Sequence, residues 1–462
     1  MDLHQPPAHA AALEVAHRHT LAWLDGLRER RVHPGSGVDA VAGFAGPLPE
    51  HGEDPATVVE ALVAATEPGL VASPGPRYFG YVIGGGLPST VAADQLAVAW
   101  DQVAGLEVMS PAAAAAEEVA GAWARELLGV TPDASFGFTT GAQMANFTGL
   151  AAGRHAVLAR AGWDVERDGL QGAPRVHVVA GAQSHSTIPQ SLRFLGFGGT
   201  PDRAGADDQG RMVPSSLREV LARSEGPAIV CAQAGNVDTG AFDPVAEIAE
   251  VCRERGAWLH VDGAFGLWAA ASPRLRHLTA GVELADSLAT DCHKWLNVPY
   301  DSALVFTRDP EAHMAAMTWQ AAYVQVGESR DPFRFVPEAS RRARGFAVWA
   351  AIRELGREGV AAMVERSCDL ARRFADALRD EPGVEVLNEV VLNQVLVRFG
   401  DSDEHTAAVM QGIRDGGEAW VSGTVWDGRH AMRFSVSNWM TTEADIDRTL
   451  AAVLAAHRRV AA

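Results

Sequence analysis

DSLATDCHKWLNVPYDSALVF, residues 286–306, holds the pattern from which the rest of the chain can be read. Two short apolar runs, SLATDC (287–292) and SALVF (302–306), flank a turn that carries His293, Lys294 and Trp295. Runs of this length suit buried strands better than helices. A lysine at a strand exit, between a histidine and an indole, is an unusual place for a group that normally seeks water. Working outward, VHVVA (176–180), AIVCAQ (228–233) and AWLHVD (257–262) are further apolar runs. Helical spacing fits 143–160, 214–223 and 244–255 between them. Such alternation predicts an α/β fold, a mostly parallel sheet with helices on both faces.

The flanks read differently. Residues 8–31 place Leu13, Ala16, Leu21, Leu24 and Leu27 at near-helical spacing. A Gly- and Pro-rich loop runs from His33 to Pro55, and a helix is expected over 57–65. SPGPRYFGYVIGGGLPS (73–89) mixes aromatic residues with Gly and Pro, which makes poor helix and good loop. The alanine-rich 112–128 predicts a helix. A long helical stretch is expected from Arg341 to about Leu378. VLVRF (395–399), a helix at 403–415, MRFSVS (432–437) and a helix from 442 predict a smaller α+β C-terminal domain. The expected division is 1–87, a helical segment; 88–345, a large domain; and 346–462, a small one.

Composition narrows the function classes. The 462 residues carry 39 basic and 58 acidic side chains, a net charge of −19. That balance argues against nucleic acid or anionic lipid as a partner. Cys231, Cys252, Cys292 and Cys368 form no CxxC pair and have no histidine cluster beside them, so no metal site is expected. They read as reduced thiols of a cytoplasmic protein. No signal-peptide pattern opens the chain, and no apolar run reaches the ~20 residues of a membrane span.

Four segments carry chemistry. TTGAQMAN (139–146) puts small residues at a helix start, where free backbone N–H groups can hold a phosphate. QSHSTIPQSLRFLGFG (183–198) places His185 just after a strand. LHVDGAFG (259–266) ends a strand on Asp262, at the edge where α/β sheets place ligands. Lys294 completes the set. A pyridoxal-5′-phosphate (PLP) site needs an amine for a Schiff base, an acid at the pyridine nitrogen, a ring-stacking group and a phosphate cup. The chain supplies all four. The aspartate would keep the pyridine nitrogen protonated, so that the ring withdraws electrons from the substrate Cα.

In these segments the sequence resembles the group II PLP-dependent amino-acid decarboxylases, the family of aromatic-L-amino-acid and glutamate decarboxylases. The resemblance covers about residues 70–440, and DCHKWLNVPYDSALVF is its most specific part. It implies the fold type I (aspartate aminotransferase-like) architecture. It implies Lys294 as the Schiff-base lysine, Asp262 as the pyridine partner, His185 as the stacking and catalytic histidine, and Ala264 as the small residue under the ring. Thr140, Gly141, Ala142, Gln143 and His293 fall on the phosphate side. Asn236 and Thr239, in AGNVDTGAFDP (234–244), match a cofactor- and substrate-side turn. PRYFGY (76–81), SPA (110–112) and SRR (340–342) match further family segments, and Tyr78, Phe79, Tyr81, Arg341 and, from WDQVAGLEV (100–108), Val103 are the expected substrate contacts. The chain departs from the family in three places, one of them WDQVAGLEV (100–108), where Gly105 and Glu107 replace bulky residues that aromatic-specific relatives often carry, which counts against an aromatic pocket. Gly141-Ala142-Gln143 stands where relatives often carry a hydroxyl-bearing triplet, and Asn236 where many carry threonine.

Tyr323 lies in MTWQAAYVQVGESRDPFRF (317–335), which reads as a mobile loop. The resemblance gives it the proton delivered to Cα after CO₂ leaves. The expected reaction is decarboxylation of an L-amino acid to its amine, leaning to an aromatic or large apolar substrate. The alternatives are an acidic substrate with Arg77 as the cation, an aldehyde-forming variant, and another fold type I lyase or aminotransferase. The family also implies a homodimer, with the N-terminal segment wrapping the partner.

Overall fold

The computed structural model describes residues 9–35, 39–319 and 330–461. Its larger sheet has seven strands: β1 (Ser135–Thr139), β2 (His177–Gly181), β3 (Asp202–Ala204), β4 (Ala228–Gln233), β5 (Trp258–Asp262), β6 (Ser287–Asp291) and β7 (Ala303–Thr307), in the order β1-β7-β6-β5-β4-β2-β3. β3, β2, β4, β5 and β6 run parallel, and β7 is antiparallel to both β6 and β1. This is the mostly parallel α/β sheet that the strand–helix alternation predicts, and the five expected strands are β2, β4, β5, β6 and β7. The reversal at β7 follows from chain length. The 292–302 connection is too short for a crossover, which needs roughly a dozen residues or more. β1 and β3 escape the sequence reading. Gly137 interrupts the apolar pattern of β1, and its hydrogen is required because a Cβ there would sit 2.4 Å from the Phe335 carbonyl oxygen.

A second, antiparallel sheet follows, with β8 (Val384–Val386), β9 (Gln394–Phe399), β10 (Ser422–Trp426) and β11 (Arg429–Ser435) in the order β10-β11-β9-β8. The Gly345–Arg379 helix joins the two layers. Its first part buries Val348, Ile352 and Val364 in the core of the large sheet, and its last turns bury Leu370, Phe374 and Leu378 in the core of the small one. It breaks at Gly356, whose φ of 61° is open to glycine at little cost.

The 77–81 segment belongs to this second sheet. Phe79 N–H donates to the Trp420 carbonyl at 2.8 Å, and the Phe79 carbonyl accepts from Ser435 N–H at 3.0 Å. The Phe79 ring stacks on Phe434, and the Tyr78 ring lies parallel to Trp420. Two expectations are corrected here. Phe79, 1% exposed, is a core residue with its ring stacked on Phe434. Arg77, equally buried, donates to the carbonyls of Glu418, Arg28 and Arg30 and to the Glu418 carboxylate, so it cannot receive an acidic substrate.

Candidate active site

Asp262 is the last residue of β5, in register with Gln233 of β4 and Ala289 of β6. Its side chain therefore emerges at the carboxyl edge of the parallel strands, where open α/β sheets place ligands. One carboxylate oxygen accepts the Ala264 N–H at 3.1 Å, and the other accepts Asn146 Nδ2 at 3.0 Å. Both carboxylate oxygens are thus engaged by donors.

Lys294 lies in the turn between β6 and β7, with Nζ 5.9 Å from the Phe265 ring centroid. The turn is clamped from two sides. Gly84 rests on it so closely that a Cβ would meet the Lys294 and His293 carbonyl oxygens at 2.2 and 2.5 Å. Asn297, at φ 56°, is the other clamp. Its Oδ1 accepts Gly85 N–H at 2.7 Å and Trp439 N–H at 3.0 Å, and its Nδ2 donates to the Trp295 and Ser437 carbonyls. One buried amide thus ties the lysine turn, the glycine loop and the C-terminal layer together.

His185 sits in the turn after β2. The Thr187 N–H points at Nδ1 from 3.3 Å, and the Thr187 hydroxyl is 2.9 Å away. A backbone N–H can only donate, so Nδ1 is bare and Nε2 carries the proton. Burial is the main cause that holds this imidazole below its usual range. The charges of Lys294 and Arg433 act the same way, and Asp262 opposes them. Asn146 Nδ2 reaches both Asp262 and the Thr187 hydroxyl beside His185, and Lys294 follows β6, the parallel neighbour of β5, at the same edge of the sheet as Asp262.

On the expected phosphate side, Gly141 caps the Ala142–Arg160 helix. The Ala142 N–H donates to Asp291 Oδ2 at 3.2 Å, and the His293 N–H donates to Asp291 Oδ1 at 2.9 Å. The His293 ring stacks on Tyr300 at 3.4 Å and uses Nδ1 to donate to the Val298 carbonyl. Its Nε2 is buried with no partner. Burial pushes this histidine down to about 4. A phosphate dianion against Nε2 would restore the proton that burial removes.

These residues fit PLP: an amine, a carboxylate fed by donors, and a buried imidazole nitrogen that an anion would complete. A pyridoxal-dependent decarboxylase conserved domain matches residues 41–399. The chain belongs to the pyridoxal-dependent decarboxylases. Tryptophan decarboxylase 1 of Oryza sativa subsp. japonica is 28% identical over 424 residues, which are 83% of this chain and 81% of the relative. An acidic amino acid decarboxylase of Mus musculus is 33% identical over 239 residues, 49% of this chain and 43% of the relative. The crystal structure of Oryza sativa TDC with PLP and tryptamine shares the fold at TM-score 0.90 and 24% identity, covering 98% of this chain and 99% of that one.

The decarboxylase spreads its other expected contacts unevenly. Thr140 and Gly141 are part-exposed and Gln143 is exposed at the helix start. Ala264 follows Asp262 closely, and its carbonyl accepts the Asp291 N–H at 2.9 Å. Asn236 spends its side chain inside its own turn, accepting from the N–H groups of Asp238 and Thr239 and donating to the Gln183 carbonyl. Thr239 donates to the Gln209 carbonyl at 2.7 Å. Arg341 is a correction. Its two terminal nitrogens bind both oxygens of Glu117 at 2.6 and 2.8 Å in a fully buried pair, so it is structural and meets no substrate. Val103 bridges to Arg342 in the same seam and is half-buried. Tyr81 is 59% exposed, at φ 56°, tilted against Trp420. Tyr323 lies outside the described residues.

Four residues of the site went unread in the sequence: Asn146, Asp291, Asn297 and Arg433. Asp291 and Asn297 flank the lysine within DCHKWLN, where a carboxylate at a strand end and an asparagine in a tight turn were visible signals. Arg433 comes from β11, far along the chain, and pairs with Asp238 at 3.4 Å while its Nε is buried unpartnered. Nothing local marks it.

Proposed function

We propose that this PLP-dependent amino-acid decarboxylase acts on an aromatic or large apolar L-amino acid and releases the amine. The observation that carries the chemistry is the Asp262 carboxylate, fed by two donors at the sheet edge where Lys294 also lies and linked through Asn146 and Thr187 to His185. When bound, PLP supplies the electron sink at the substrate Cα. Lys294 supplies the amine that bonds the cofactor. Asp262 would hold the proton on the pyridine nitrogen, and neutral His185 would offer its Nε2–H to the cofactor. Arg433 is the cation placed to orient the substrate carboxylate. The aromatic lean is supported by the tryptophan decarboxylase likeness over most of the chain and by the sequestration of Arg77 and Arg341, which leaves neither for a side-chain carboxylate.

The test is incubation of the holoenzyme with a panel of amino acids, detecting CO₂, amine and aldehyde. Fastest CO₂ release from tryptophan, tyrosine or phenylalanine is expected, and faster release from glutamate or aspartate would refute the lean. Tyr323→Phe keeps a ring and removes a donor. If Tyr323 delivers the Cα proton, amine output falls and aldehyde with oxygen consumption takes its place.

A homodimer is part of the same reading. Its support is the exposed apolar set Leu96, Val98, Trp100, Val108 and Met109, close together along the chain, since clustered exposed apolar residues mark interaction surfaces. Light scattering that finds a fully active monomer would refute it. A cytoplasmic location is likewise proposed, on the four free, buried cysteines.

A further inference from the structure

Behind Asp262 runs a chain of polar groups that the reaction itself does not use. Trp258, His260 and Asp262 alternate along β5 and so share one face of the sheet. Asn146, Gly149 and Gly153 lie at helical spacing on the helix packed over that face. Trp258 Nε1 donates to Ser287 Oγ at 2.9 Å. Ser287 Oγ is 2.8 Å from His260 Nδ1. His260 Nε2 is 2.9 Å from Asn146 Oδ1. Asn146 Nδ2 reaches Asp262 Oδ2 at 3.0 Å and Thr187 Oγ1 at 3.3 Å. Thr187 Oγ1 in turn touches His185 Nδ1.

The two ends fix the direction of every link. An indole N–H can only donate, and a carboxylate can only accept. Asn146 must therefore point its amide nitrogen at Asp262 and its oxygen at His260. His260 must then carry its proton on Nε2 and accept the Ser287 hydroxyl proton on Nδ1. The second hydrogen of the Asn146 amide goes to Thr187, whose own hydroxyl proton is left for His185. Asn146 and His260 have no exposed surface, and burial pushes His260 down to about 4, so it stays neutral.

The packing is shaped to this chain. A Cβ at Gly149 would lie 2.9 Å from His260 Nδ1, and one at Gly153 would lie 2.8 Å from the Trp258 ring. Two glycines inside a helix cost about 0.5–1 kcal/mol each relative to alanine. Their place over these two rings is what that cost secures.

We propose that Asn146, oriented through His260, Ser287 and Trp258, is a positioning residue that fixes the charge of Asp262 and the tautomer of His185 together. The inference rests on the reading of Asp262 as the pyridine partner. The experiment is ¹⁵N NMR of holoenzyme reconstituted with PLP labelled at the pyridine nitrogen, with PLP affinity measured in parallel. Wild type is expected to show a protonated nitrogen. Asn146→Leu and His260→Leu should move the signal toward neutral pyridine and weaken PLP binding roughly ten- to hundredfold, the worth of a hydrogen bond to a charged group. His260→Gln, which keeps a donor near the Nε2 position, should return the signal toward wild type. Wild-type signals in both leucine variants would overturn the proposal. Should the leucine variants fail to fold, Ser287→Ala decides: a smaller shift in the same direction supports the chain, and an unmoved signal overturns it. Asp262→Asn separates the two readings. If it leaves the nitrogen protonated, the assignment of Asp262 fails. If it shifts the signal while the relay variants do not, only the relay fails.

Discussion

The 286–306 and 76–81 segments both look functional, and the structure treats them in opposite ways. Around Lys294 valences are left open: His293 Nε2 is buried without a partner, and Asp262 takes two donors with lone pairs to spare. Around Arg77 and Phe79 the main valences are closed. The guanidinium is spent on three carbonyls and a carboxylate, and the ring is stacked into the C-terminal core. An imidazole nitrogen left buried and unpartnered beside the lysine turn has room for an anion, whereas a guanidinium whose terminal nitrogens are all spent is structure even though its Nε stays unpartnered. Arg341, sealed against Glu117, follows the second pattern although it lies in a family-like segment.

The sharpest way to break that comparison is Lys294→Ala. No other described amine stands in the site, so turnover and the cofactor's visible absorbance should both vanish; repeated turnover by the variant would remove the lysine from its role. Asp262→Ala comes next. Activity should fall by more than about tenfold, or 1.4 kcal/mol of barrier, and a smaller loss would deny the aspartate its task.

On the closed side, Arg341→Ala should act on stability instead of affinity. It strands Glu117 as a buried, unpaired charge, at about 3–5 kcal/mol in denaturant unfolding. A KM increase with unchanged stability would return Arg341 to the substrate. Acid should expose the buried imidazoles. Burial holds His260 and His293 down to about 4 and His313 to about 3, below the ordinary 6.5 of an unfolded chain. Above pH 6.5 they are neutral in both states. As pH falls from there toward 4, the unfolded chain takes up protons that the fold refuses, so unfolding at pH 5 should need less denaturant than at pH 7.5. Equal midpoints would contradict the burial. The smallest effect is Gly149→Ala. Within an ordinary helix it would stabilise, but here the methyl meets His260, and a loss of about 1–3 kcal/mol is expected. A gain in melting temperature would show that the ring can move aside.

Much of the fold was legible because strands buried on both faces are short, largely apolar runs, as the parallel β2, β4, β5 and β6 and the antiparallel β7 are. β1 and β3 were not, one broken by glycine and the other only three residues long. Asp262, His185 and Lys294 were legible because each sits within a few residues of a strand end, so strand position alone brings them to one edge of the sheet.

Local pattern was enough for the α/β class, the decarboxylase likeness and the order of the chemical groups. Which arginines are sequestered, which aromatic is core and which donors reach Asp262 came only from contacts between distant parts of the chain. Arg77 meets Glu418, Arg341 meets Glu117, and Asn146 meets His260 and Asp262 across separations of a hundred residues or more. Hydrogen bonds act over about 3 Å of space whatever the distance along the chain, and no local pattern encodes which distant partner arrives there.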